Sequence, residues 1–161
     1  MRSRLALLAV LTLAVSAATT AQTKVSGTML CRNPPPRAVP IGDQPNHAFA
    51  IVKSQCAWTQ PIQIGGIAGK DGESTISAEM NGDTGSDRGF FVGTMGNGDR
   101  IHVKFSGSSR SKDGKPIAGE GTWTFTGGSG KFQNLKGKGI YKGIANPDGS
   151  VTYKIDGDSS M

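Results

Sequence analysis

The sequence predicts an all-β protein, a closed antiparallel barrel of about eight strands. Three observations carry this. Apolar and polar residues alternate with period two in segment after segment, as in half-buried strands. Turn signals recur at hairpin spacing. The 24 glycines and 6% aromatic content suit many turns and strands better than helices. At 161 residues the chain is read as one domain, residues 22–161, behind a leader.

Residues 1–21 read as a signal peptide. Arg2 and Arg4 supply a positive start, and residues 5–15 form an apolar run too short to span a bilayer. Ser16-Ala17-Ala18 or Thr19-Thr20-Ala21 offers small residues for cleavage. No lipobox cysteine follows, and no later segment reads as a membrane span. The expected compartment is the periplasm or the medium.

The first strand begins in residues 23–30. Residues 32–45 hold five prolines, which forbid helix and withhold donors from a central strand, so an irregular excursion is expected. Its length makes it a candidate lid over a barrel mouth. Cys31 and Cys56 bracket it, and an even cysteine count in an exported chain predicts one disulfide. Residues 47–58 form a second strand, with His47, Phe49 and Ile51 on one face and Ala48, Ala50, Val52, Cys56 and Trp58 on the other. A bent connection or short edge strand occupies residues 59–69.

A third strand spans residues 74–81, with Ile76, Ala78 and Met80 inward. Residues 82–87 read as a polar turn before a fourth strand at 88–95. Asn97-Gly98 is the strongest hairpin signal in the chain. Residues 100–108 put Ile101, Val103 and Phe105 inward and His102 outward. Strands follow at 117–126 and 135–143. Asn146-Pro147-Asp148-Gly149 turns into a last strand with Val151, Tyr153 and Ile155 inward.

The centre of this pattern is GEGTWTFTGGSGKFQNLKGKGIYKG, residues 119–143. Gly121, Trp123 and Phe125 share one strand face, and Thr122, Thr124 and Thr126 the other. Phe132 and Leu135 are expected to plug a barrel end beneath the glycine corner. The segment TGGSGKF, residues 126–132, resembles the TGGSGxF segment of plant allene oxide cyclases and is similar to the GGTGxF segment of dirigent proteins. The longer pattern also resembles a group of uncharacterised secreted bacterial proteins. These resemblances imply a small eight-stranded antiparallel barrel of the calycin-like kind. No catalytic residue of either family falls on a matching position, so none is carried over.

Chemistry is sparse. His47 and His102 are the two histidines, without ligand spacing, so no metal site and no cofactor is expected. Gly130-Lys131 is no phosphate loop, because Phe132 stands where Ser or Thr is required. Ser129 has no histidine or aspartate that the sequence ties to it. The net charge of +6 falls by two with Arg2 and Arg4. The basic residues form no stripe with interleaved aromatics, so nucleic acid is not an expected partner.

The candidate ligand-binding residues are His47, near a mouth, Glu120, on the threonine face of its strand, and the aromatics Trp58, Trp123 and Tyr141. An eight-stranded barrel is wide enough to hold one small ligand. The first expectation is therefore a non-enzymatic protein binding a small apolar or amphipathic molecule. An envelope interaction protein with a filled barrel comes second, and a cyclase- or isomerase-like enzyme third. The sequence does not give an oligomeric state.

Overall fold

The computed structural model describes residues 22–113 and 115–161. The signal peptide expected at residues 1–21 lies outside them. Ten strands follow in order: β1 Thr23–Arg32, β2 Arg37–Pro40, β3 His47–Gln60, β4 Gln63–Ile64, β5 Ile67–Asn81, β6 Thr84–Met95, β7 Arg100–Lys112, β8 Lys115–Gly128, β9 Lys136–Ala145 and β10 Val151–Ser160. Among the described residues a single 3-10 turn, Gly130–Phe132, lies between β8 and β9. No helix among the described residues is long and apolar enough to cross a membrane.

Eight of the strands close into an antiparallel barrel. Each neighbour pairs in the order β3-β1-β10-β9-β8-β7-β6-β5, and β5 pairs back onto β3 from His47↔Asn81 to Ala57↔Asp71. Closure leaves none of the eight strands at a sheet edge along its whole length, which limits a route to aggregation; the mouth half of β3, beyond the end of β1, is the part that β1 leaves open on one side. Several strands are longer than the sequence pattern suggests: β6 begins at Thr84, β7 runs on to Lys112 and β8 begins at Lys115, all through mostly polar residues at one end of the barrel.

That end differs from the other. The floor is packed: Phe132 and Leu135 are fully buried, against Ile62, Ile64, Met95 and Ile101. The 3-10 turn drops Phe132 under the barrel as the glycine corner predicts. Asn97-Gly98 makes the β6–β7 hairpin there, with Gly98 at φ 86°, a conformation costly for any residue with a Cβ. At the opposite end lie the β5–β6, β7–β8 and β9–β10 turns, which rim a mouth.

The disulfide forms. Cys31 and Cys56 face each other in the β1–β3 register, with an S–S distance of 2.01 Å. Beyond Cys31, β1 ends while β3 continues toward the mouth. The proline-rich segment fills that gap. It is not wholly irregular: β2 lies along the outer half of β3, from Arg37↔Ile51 to Pro40↔Ala48. Pro40 is tolerated there because an edge strand has one row of unpaired donors. The Oγ of Ser54 donates to Asn33 Oδ1 at 2.5 Å and fastens the start of this segment to the barrel wall.

Candidate functional site

Above the floor the barrel is hollow. A cavity of about 1040 Å³ opens at the mouth. Small-molecule pockets run to roughly 300–1,000 Å³, so this one is at the upper end. It exists because the inward positions near the mouth are small: Ala48 and Ala50 on β3, Ala78 on β5, Gly107 on β7 and Gly121 on β8. Lower down the inward positions are large, among them Phe91, Trp123 and Phe125.

The main polar feature of the inner wall is a pair on opposite sides of two glycines. Asp87 (β6) is registered with Gly107 (β7), Gly107 with Gly121 (β8), and Gly121 with Tyr141 (β9). With no side chain at the two intervening positions, the Tyr141 ring lies along the wall. Its hydroxyl donates to Asp87 Oδ2 at 2.9 Å. A Cβ on Gly121 would lie 2.7 Å from that hydroxyl, and one on Gly107 would collide with it. Phe105 and Tyr153 flank Tyr141 edge-on, each with ring centroids 6.0 Å away.

Burial governs the electrostatics of this cluster. Loss of water pushes the Asp87 carboxyl above its usual range, and the Tyr141 hydrogen bond pulls weakly the other way. Burial, then the neighbouring Asp87 charge, pushes the Tyr141 phenol well up. The same two causes push Tyr153 up to about 12. Both tyrosines therefore stay neutral hydrogen-bond donors, and Asp87 is the group that changes charge.

The five candidate residues go to different places. Trp58 lines the cavity and meets Phe91 edge-on at 6.5 Å. Trp123 lines its lower part, 4% exposed, with its indole N–H donating to the Ile140 carbonyl at 3.0 Å. Tyr141 is the wall residue just described. His47 sits at the rim. Its Nδ1 is 2.6 Å from Asp43 in the β2–β3 loop, and its Nε2 is 3.0 Å from Glu79 on β5. Those hydrogen bonds, Asp43 first, push its pKa up. Glu120 is exposed on the outer wall, opposite Lys142 in the β8–β9 register.

Asp87 was missed. The sequence reading ends a polar turn at residue 87, whereas β6 begins at Thr84 and Asp87 points inward. The available signal was parity: Asp87, Gly89, Phe91 and Gly93 fall on one face. Among the described residues, no three His, Cys, Asp or Glu side chains group to hold a metal.

No family model matches the sequence, and no curated protein is similar to it. One solved structure of similar fold is the conserved protein of unknown function RPA1785 from Rhodopseudomonas palustris. The match has a TM-score of 0.54 and 11% identity, over 88% of this chain and 99% of that one. At that identity the likeness speaks for the barrel and not for an activity.

Proposed function

We propose that this barrel is an exported binding protein that takes one small apolar or amphipathic molecule through its mouth. The observation that carries the reading is the cavity of about 1040 Å³, floored by Phe132 and Leu135 and walled by Trp58, Phe91 and Trp123. Burying apolar ligand surface against such walls supplies roughly 25 cal/mol per Å² before the costs of association. Asp87 and Tyr141 add the few polar groups that orient a ligand in an otherwise apolar pocket. The resemblance of residues 126–132 to allene oxide cyclases and dirigent proteins fits a small barrel of this kind. Export is supported by the leader-like residues 1–21 and by a disulfide, a bond that persists in oxidising compartments.

Native mass spectrometry tests the reading. Protein purified from its own periplasm or culture medium is expected to carry the added mass of a small organic molecule, lost on denaturation. Bare protein that also fails to bind a neutral apolar fluorophore would overturn it.

A further inference from the structure

The two walls of the barrel carry opposite net charge. Without Arg2 and Arg4 of the leader-like segment, basic residues outnumber acidic ones 16 to 12. Yet every Lys and Arg among the described residues is exposed, and none lines the cavity. Three aspartates do line it: Asp83 and Asp113 at the mouth turns, and Asp87 inside. His47 at the rim adds no free cation, because carboxylates hold both of its ring nitrogens. A cleft lined by charge of one sign, with walls of low dielectric, concentrates ions of the other sign.

Asp87 is the focus of that field. Among the described residues it has no ion-pair partner, and its one side-chain hydrogen bond comes from Tyr141. Beside it stand Tyr141 and the two rings that flank Tyr141, Phe105 and Tyr153, each with its centroid 6.0 Å from that of Tyr141. A carboxylate among aromatic rings suits an organic cation. The carboxylate answers the net charge, and ring faces attract the cationic shell. An anionic headgroup would meet three aspartates, and the one basic group on the lining, His47, is already held by two carboxylates.

Resting on the reading that the cavity holds a small molecule, we propose that its ligand is a cationic amphiphile. The head is an amine or quaternary ammonium seated against Asp87, on the cavity side of Tyr141 and Tyr153. The apolar body extends toward Trp58 and Phe91. Asp83 and Asp113 draw the head in at the mouth.

The test uses three probes with one chain length: dodecyltrimethylammonium, 1-dodecanol and dodecanoate. Each is titrated below micelle formation into the disulfide-bonded chain, with calorimetry as the readout. The cation is expected to bind about tenfold more tightly than the alcohol, and dodecanoate most weakly. Asp87→Asn is expected to collapse the cation's advantage, with near-UV circular dichroism confirming its fold. Equal binding of all three by the wild type would overturn the cationic assignment and leave a binding barrel standing. So would a cation preference that survives Asp87→Asn. Binding of none of the three would overturn both readings.

Discussion

Tyr141 donates to Asp87 across two intervening strands, although 54 residues separate the two in sequence. The contact depends on two absent side chains. Gly107 and Gly121 occupy the same register row and leave the wall bare where the ring crosses it. The polar centre of the cavity is thus written jointly by a donor, an acceptor and two glycines.

Asp87 makes stability depend on pH. In the unfolded chain the carboxyl ionises near its ordinary value of 3.8, and burial raises that value in the folded chain. Between the two values the folded state keeps a proton that the unfolded state has released. Stability is therefore highest below the unfolded value and falls as pH rises through the folded one. Asp87→Asn should flatten this fall in urea midpoints measured from about pH 4 to 7. Tyr141→Phe removes the interaction that lowers the pKa, so it should shift the fall upward. It should also cost about 1 kcal/mol for the lost hydrogen bond. Identical profiles in all three proteins would contradict the placement of Asp87.

Gly121→Ala should destabilise by about 1–3 kcal/mol, the usual range for overpacking. The new methyl would press on the Ser106 carbonyl and the Tyr141 hydroxyl. Gly119→Ala, two residues earlier, meets nothing nearer than 3.4 Å and should be close to neutral. Equal urea midpoints for the two variants would refute the close approach at Gly121.

The floor should be the costliest place to remove atoms. Phe132→Ala is expected to lose about 3–5 kcal/mol in chemical denaturation. Phe90, 59% exposed on the outer wall, should lose far less when cut to alanine. Comparable losses would mean that the 3-10 turn does not seal the barrel.

Reducing Cys31–Cys56 frees a loop with a sequence separation of 25 residues. The expected loss is about 3 kcal/mol on the chain-entropy account. It should appear as a lower urea midpoint in reductant than without it.

His47 ties the β2–β3 loop to β5 only while it is protonated. Its pKa is raised, so this tie is complete below the unfolded-state value and is lost as pH rises through the folded one. Hydrogen exchange in residues 41–46, corrected for intrinsic rate, should quicken across that window. His47→Gln should exchange fast throughout. A loop whose protection ignores both changes would not be held by this histidine.

The lower barrel was legible in the sequence, and the upper barrel was not. Trp123 with Phe125, and Ile101 with Val103, alternate against polar partners because their inward faces meet packed neighbours. Phe132 and Leu135 announce the floor differently, as the two large apolar residues that follow a glycine corner. Near the mouth the inward face borders a cavity, so nothing selects bulky apolar residues there. Gly85 and Asp87 consequently look like turn, and the polar end of β6 is lost to view. Glu120 shows the converse. Its parity with Thr122 and Thr124 already pairs it with the outer wall, where it lies. The proline run hides β2 because its few ladder bonds are dictated by the open edge of β3, a distant partner.

The pairing of β1 with β10, from Thr23↔Ser159 to Cys31↔Val151, brings the two ends of the described chain side by side. The ring thus has no privileged starting point. A circular permutant that joins residues 22 and 161 by a short linker, and is cut open at the Asn97–Gly98 hairpin, would keep every rung of the cylinder. Its folding, however, could no longer end on the same seam.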